Sequence, residues 1–163
     1  MEKTKRDHLL SIVQDFDTGV LVTRTPGGDL RGRPMGLAEV QADDGSLYFC
    51  ASLKSEKIAE LVGDAHVAVA FQSKTKFASL SGVASVDKDR ATIRRLWRET
   101  WKIWFPVGSD DPDLCLIRVV PTEGEYWDNS GARGVKFVID AAKAYLSGER
   151  VVTSENENAK VKL

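Results

Sequence analysis

Residues 26–62 read PGGDLRGRPMGLAEVQADDGSLYFCASLKSEKIAELV, and this stretch decides the fold. It opens on a Pro-Gly-Gly-Asp turn, continues through a strand interrupted by Gly-Arg-Pro-Met-Gly, and turns again at residues 43–46. Turn signals of this kind between apolar runs are typical of antiparallel hairpins. A third strand at 47–51 leads into a short helix for which Ser55 is the expected N-cap. The stretch therefore predicts consecutive antiparallel strands followed by one helix.

Apolar runs on both sides of this stretch predict the rest of a mainly β fold with helices. Strands are expected at 19–25, 65–72, 77–86, 114–120 and 123–127, and helices at 3–16, 87–105 and 135–146. The helices come singly between strands and at both ends, without the regular alternation of a doubly wound α/β fold. We therefore expect a six- to seven-stranded antiparallel β-barrel in one domain over residues 1–147. The polar segment 148–163 is expected to be a mobile tail.

Composition excludes several classes of function. The 23 Lys and Arg residues against 24 Asp and Glu give a net charge of -1, which argues against nucleic acid as a partner. The first residues lack the apolar core of a signal peptide, and no run is long enough to span a bilayer, so no membrane association and a cytoplasmic location are expected. His8 and His66 have no second ligand at metal spacing, so no metal site is expected.

Two basic segments predict a local anion site. Arg33 precedes Pro34, which cannot donate to a strand ladder, so its backbone lies at an edge, at a bulge or against a ligand. About twenty residues later, Ser52, Lys54, Ser55 and Lys57 surround a helix start, where free N–H groups and the helix dipole favour an anion. The alternatives are a protected edge strand and solvated lysines beside an ordinary helix cap.

Three tryptophans, Trp97, Trp101 and Trp104, recur at the spacing of one helical face, and Phe105 continues the row. Such a stripe is typical of core packing. The competing hypothesis is that Trp104 or Phe105, near the end of the helix, covers a flat ligand or a subunit interface. Cys50 and Cys115 lie in apolar strands and are expected to be reduced, buried thiols.

The order and spacing of three segments resemble the FMN-binding split barrels of the pyridoxamine 5'-phosphate oxidase-like superfamily, and most closely its bacterial general stress protein branch. These segments are Gly32-Arg33-Pro34-Met35-Gly36, the run LYFCASLKSEK at 47–57, and Ser81-Gly82-Val83-Ala84. The Trp-rich segment and Tyr126-Trp127-Asp128 also correspond to that branch. The resemblance implies a split barrel that forms a homodimer, with two flavin sites at the interface between subunits.

Carried over by position, the resemblance implies where FMN, or alternatively FAD, would bind. Arg33 and Lys57, with Ser52 and Lys54 nearby, would hold the phosphate. Pro34, Met35 and Gly36 would lie along the flavin ring through backbone contacts, and Phe49, Cys50 and Ala51 would flank the ribityl chain or the ring. Trp104, Phe105 and Trp127 are the candidates for an aromatic residue contributed by the partner subunit.

The function implied is a flavin-dependent oxidoreductase of a stress response with an unknown substrate. Oxidation of vitamin B6 is not expected, because the C-terminal segment GERVVTSENENAKVKL departs from the basic segment that binds the substrate phosphate in true pyridoxamine phosphate oxidases. The alternatives are a non-catalytic flavin carrier or sensor, and a split barrel that binds haem or a deazaflavin. Haem would require His66 or Cys50 to face the cavity as an axial ligand.

Overall fold

The computed structural model describes residues 4–148, 150, 151 and 158–163, apart from the side chain at position 133. The strands are β1 (Thr18–Arg24), β2 (Leu30–Val40), β3 (Leu47–Ser52), β4 (His66–Gln72), β5 (Lys76–Asp87), β6 (Leu114–Asp128) and β7 (Asn158–Lys162). The helices are α1 (Lys5–Gln14), α2 (Glu56–Gly63), α3 (Arg90–Leu96) and α4 (Ala132–Ser147). None of the helices in this described part has the length and apolar composition needed to cross a bilayer.

All strand pairings are antiparallel, in the order β3-β2-β1-β4-β5-β6-β7. The first half of β6 also pairs with β3, which closes a six-stranded barrel and leaves β7 outside it. The split-barrel fold expected from the sequence is therefore confirmed. Its interior is filled by the inward-facing residues of the strands, among them Leu21, Phe49, Val69, Leu80 and Ile117.

Helix α1 covers part of this core. Thr4 and Asp7 form a capping box at its start, which satisfies backbone donors that the helix leaves free. Its buried face carries Leu9, Ile12 and Val13, which pack into the barrel core. A Leu or Ile side chain fully removed from water stabilises the fold by roughly 1.5–3 kcal/mol. The helix therefore supplies part of the hydrophobic core.

A mobile tail is expected at 148–163, but the structure has a strand at the C-terminal end of this segment. Asn158–Lys162 form β7, which pairs with Glu123–Trp127 of β6. The β3 strand reaches only the first half of β6, so the second half would otherwise present unpaired backbone groups at a sheet edge. Strand β7 satisfies those groups. Residues 149 and 152–157 of the same segment lie outside the described residues.

The two strands expected at 114–120 and 123–127 are one strand, β6, which runs through Pro121. Its register against β5 shifts between Ser81 and Gly82, where Gly82 is paired with Pro121. A Cβ atom built on Gly82 would lie 2.4 Å from the carbonyl oxygen of Val120. A bulge and a close backbone approach, the two usual reasons for a glycine inside a strand, thus occur together at Gly82.

Replacing Gly82 with alanine should lower the free energy of unfolding by about 1–3 kcal/mol, because the new methyl group overlaps backbone atoms that cannot rotate away. Gly63→Ala is the matched control, since a Cβ atom there would have nothing within 4 Å. Urea denaturation of both variants checks this. Equal stability of the two variants would mean that β5 and β6 do not approach at Gly82 as described.

The single helix expected at 87–105 is wrong. Helix α3 ends at Leu96, Trp97 adopts an extended conformation with φ -53° and ψ 136°, and a 3₁₀ turn follows at Glu99–Ile103. The break has a packing reason: Trp101 and Phe105 are both buried against the outside of the barrel, beside Tyr48 and Leu116. A continuous helix would place Trp97, Trp101 and Trp104 on one face, whereas here Trp101 is buried and Trp104 is 67% exposed.

Candidate functional site

A cleft of about 320 Å³ opens in the barrel wall between β2 and β3. Strands β2 and β3, the first turn of α2 and the aromatic segment after α3 contribute residues to this cleft. Its lining residues are Pro34, Met35, Gly36, Cys50, Ala51, Ser52, Lys57, Trp101, Trp104 and Phe105. Nine of the thirteen residues that the resemblance offers as candidates for cofactor binding are in this set, namely Pro34, Met35, Gly36, Cys50, Ala51, Ser52, Lys57, Trp104 and Phe105.

The cleft arises because β2 and β3 separate. Their ladder joins Leu37 to Phe49 and continues toward Val40, but it does not extend back to Pro34–Gly36. Pro34 has no N–H to donate to a neighbouring strand. A Cβ atom built on Gly36 would have no atom within 4 Å, so open space lies directly beside the β2 backbone. A flat molecule can approach the main chain at this point.

Lys57, on the first turn of α2, provides the positive charge of the cleft. Burial and the nearby Arg33 guanidinium lower the pKa of Lys57. No carboxylate among the described residues lies within ion-pair distance of its ammonium group. Among the described residues, the ammonium group of Lys57 therefore has no carboxylate partner and is available to an anion in the cleft.

The start of α2 adds backbone donors to this charge. Ser55 is the N-cap, as expected, but its hydroxyl donates to the Ser52 carbonyl at 2.7 Å and makes no cap hydrogen bond. The first N–H groups of the helix therefore lack the side-chain acceptor that an N-cap usually supplies. Free N–H groups and the helix dipole favour an anion beside Lys57.

Aromatic side chains form the opposite wall of the cleft. Trp101 and Phe105 are buried and fixed, and Trp97 packs edge-on against Trp101 with ring centroids 5.8 Å apart. Trp104 is mostly exposed and presents its ring at the mouth of the cleft. Both interpretations of the tryptophan stripe therefore apply to Trp101, which packs in the core and also lines the cleft, whereas Trp104 lines the cleft from an exposed position.

Arg33 does not line the cleft. Its Nη2 donates to Glu60 Oε2 at 2.7 Å and its Nη1 donates to the Thr23 hydroxyl. The side chain is 17% exposed and lies between β2 and α2. It is close enough to Lys57 to lower the pKa of that lysine, so its charge contributes to the same region without contacting the cleft surface.

Three further residues expected at the site lie elsewhere. Phe49 is fully buried in the main core of the barrel and is not part of the cleft lining. Lys54 is exposed and pairs with Asp113 at 2.6 Å. Trp127 lies on β6, in a separate groove of about 560 Å³ between β5, β6 and β7.

Of the two possible axial ligands for haem, Cys50 lines the cleft and His66 does not. His66 is exposed on β4 beside Asp64. Burial and the neighbouring Cys115 raise the pKa of the Cys50 thiol to about 12. Across the described residues, no cluster of three His, Cys, Asp or Glu side chains could hold a metal ion.

Sequence reasoning missed Glu60 and Thr23, the partners of Arg33. Glu60 lies on α2 three residues after Lys57 and is buried, although a glutamate in a short surface helix is usually solvated. Thr23 occupies an inward-facing position of β1 among apolar residues. A polar residue at an inward strand position is the signal that could have indicated a buried polar cluster.

Comparisons with known proteins agree with this fold. Protein bli-3 of Neurospora crassa is 29% identical to the chain over 156 residues, which span 89% of this chain and 74% of that protein. The general stress FMN/FAD binding protein of Xanthomonas citri is 30% identical, with a TM-score of 0.65, and the match covers 77% of this chain and 89% of that one.

General Stress Protein 26 of Bacillus anthracis has the same fold, with a TM-score of 0.66 at 24% identity over 74% of this chain and 92% of that one. The sequence model described as "Pyridoxamine 5'-phosphate oxidase like" matches residues 4–152. That match covers most of the chain, including every strand of the barrel. The chain therefore belongs to the pyridoxamine 5'-phosphate oxidase-like family.

Proposed function

We propose that the cleft binds FMN, with the phosphate at Lys57 and the start of α2. The observation that carries this proposal is the combination, in one cleft, of an open strand backbone at Pro34–Gly36, a cation with no carboxylate partner among the described residues, and an aromatic wall. A flavin nucleotide has the matching parts, since it joins a flat ring system to a phosphate. The Xanthomonas citri relative is described as FMN/FAD binding, which supports the same ligand class.

The distribution of charge favours FMN over FAD. Among the described residues, Lys57 is the only cationic side chain that lines the cleft, because Arg33 is held by Glu60 and Lys54 pairs with Asp113. One ammonium group and a helix start match a single phosphate. FAD would bring a second phosphate and an adenosine, for which the cleft lining offers no further cation.

The proposal includes a homodimer, because an apolar face adjoins the cleft. Pro34 of β2, Val20 of β1 and Ala70 of β4 are direct cross-strand neighbours, and Gly32, Val22 and Ala68 form the next row. Val20 is 42% exposed, so part of this face meets solvent in the single chain. A second copy packed there would bury small apolar side chains and would bring its own residues, with Trp127 as one candidate, toward the open side of the cleft.

Flavin, when bound, would supply redox chemistry, and the chain would supply binding and orientation. Only Cys50 and Lys57 among the lining residues are titratable, and the raised pKa of Cys50 keeps its thiol protonated. This scarcity of acid and base groups favours a second candidate function, a flavin carrier or sensor without turnover. An oxidoreductase that transfers electrons without a protein acid remains the leading proposal, and oxidation of vitamin B6 is not part of it.

Absorbance spectroscopy tests this proposal. We expect purified protein incubated with FMN and then desalted to retain a flavin spectrum, and to retain neither haem nor a deazaflavin offered in the same way. Reduction of the bound flavin by NADH or NADPH, followed by reoxidation with an added acceptor, would support the oxidoreductase. Retained flavin that neither nicotinamide reduces would support the carrier, whereas loss of all FMN on desalting, with no binding in solution, would contradict both.

A further inference from the structure

A buried charged cluster lies behind the proposed phosphate site, between the barrel and α2. Glu60 is 4% exposed, and its carboxylate accepts hydrogen bonds from the Thr23 hydroxyl, from Arg33 and from Arg31 at 3.2 Å. The hydrogen bond from Thr23 and the charge of Arg33 lower the pKa of Glu60, so the carboxylate stays ionised at neutral pH. Arg31 is half-exposed and also pairs with Glu56 at 2.7 Å, outside this cluster.

The cluster fixes the orientation of one guanidinium group. Arg33 donates through Nη1 to Thr23 and through Nη2 to Glu60, and Thr23 in turn donates to Glu60. This closed arrangement holds Arg33 from two sides, yet it uses only two of the five N–H donors that an arginine carries. Arg33 directly precedes Pro34, which lines the cleft, and its charge lowers the pKa of Lys57.

We propose that Glu60 and Thr23 are positioning residues, which hold the Arg33 guanidinium behind the cleft wall so that its charge adds to that of Lys57 at the phosphate of the ligand. This inference rests on the proposed function of the cleft. Neither residue contacts the cleft surface, so each acts through Arg33. A glutamate would weaken the binding of a nearby phosphate if its charge were free, but here the Arg33 charge compensates it.

The alternative is that Glu60 only attaches α2 to the barrel. The comparison of FMN with riboflavin, which is the same molecule without the phosphate, shows whether an effect concerns the phosphate. Because α2 also carries Lys57, loosening α2 would weaken FMN whether or not Arg33 is present. A role through Arg33 predicts instead that Glu60→Ala weakens FMN relative to riboflavin in the wild type but causes no further loss in an Arg33→Ala protein.

The experiment measures the dissociation constants of FMN and riboflavin by quenching of flavin fluorescence, in the wild type, in Glu60→Ala, Glu60→Gln and Thr23→Val, and in Arg33→Ala with and without Glu60→Ala. We expect Glu60→Ala to weaken FMN about tenfold, the equivalent of one charge-assisted hydrogen bond, with riboflavin changed less than about twofold. Glu60→Gln keeps an oxygen acceptor for Arg33 and should retain most of the preference for FMN. Thr23→Val removes one of the two bonds to Arg33 and should lower that preference, which keeps the test valid if Glu60→Ala fails to fold.

Asp64→Ala is the matched control, because Asp64 is a carboxylate at the opposite end of α2 that pairs with Arg24 and not with Arg33. It should leave the preference for FMN unchanged. An unchanged preference in Glu60→Ala and Thr23→Val, or a further loss when Glu60→Ala is added to Arg33→Ala, would overturn the inference and leave only a structural role. A stronger preference for FMN in Glu60→Ala and Glu60→Gln would also overturn it, because the carboxylate would then oppose the phosphate. A wild type that binds neither flavin would refute the proposed function itself.

Discussion

Replacing Phe49 with alanine should lower the free energy of unfolding by about 3–5 kcal/mol, the usual cost of truncating a fully buried aromatic residue. Phe49 is 0% exposed and belongs to the main core cluster of the barrel. The ring fills space between the sheet walls, and neighbouring side chains fixed on the strands cannot collapse fully into the cavity left behind. Chemical denaturation monitored by circular dichroism measures this loss.

Phe77→Ala provides the comparison for this prediction. Phe77 lies on β5 opposite Trp127 and is only partly buried, so its truncation should cost less than half as much as that of Phe49. The pair also distinguishes the two roles considered for Phe49. A Phe49→Ala protein of normal stability that fails to bind flavin would show that the ring lies in the cleft and not in the core.

Replacing Lys57 with alanine should weaken FMN binding by about 1.5–3 kcal/mol, the usual contribution of a hydrogen bond to a charged group. That range corresponds to a factor of roughly 10 to 150 in the dissociation constant. The loss is expected to be specific for FMN, since riboflavin has no phosphate for the ammonium group. Fluorescence titration with both ligands measures it.

Lys54→Ala is the control for Lys57→Ala. Both lysines lie near the start of α2, but Lys54 pairs with Asp113 at the surface and does not line the cleft. An exposed ion pair of this kind contributes little to stability. Its removal should leave the FMN affinity within about twofold of the wild-type value. Equal losses in both variants would indicate that the phosphate is held by general positive charge near the helix and not by Lys57.

The pH dependence of binding offers an independent check on Lys57. Burial and Arg33 lower the pKa of its ammonium group below the ordinary value of 10.5. The charged form binds phosphate, so FMN affinity should fall as pH rises through this lowered pKa, and the fall should begin at a lower pH than an ordinary lysine would give. The Lys57→Ala variant should show no such fall over the same range.

The sequence predicts the barrel well because its signals are local. Alternating apolar residues and turn residues identify the strands. Pro34 and Gly36 identify the point where the pairing of β2 with β3 stops. The helix start at Ser55 and Lys57 is likewise a local pattern. Most residues that line the cleft lie on β2, β3 and α2. Predicting these elements from the sequence therefore predicts most of the cleft.

The remaining parts of the site depend on contacts between distant residues. Periodicity suggests one helix through Trp97 and Trp104, but burial of Trp101 against the barrel breaks it. The pairing of Arg33 with Glu60 joins residues 27 positions apart, and no local pattern predicts it. The β7 strand is short and polar, and only the open edge of β6 explains why it pairs there.

The measurement that tests the central claim most directly is a crystal structure of the protein grown with FMN. We predict that the phosphate lies within hydrogen-bond distance of Lys57 Nζ and that the flavin ring lies against the backbone of Pro34–Gly36. Flavin in the groove beside Trp127 with the β2–β3 cleft empty, or no bound flavin at saturating concentration, would contradict the account.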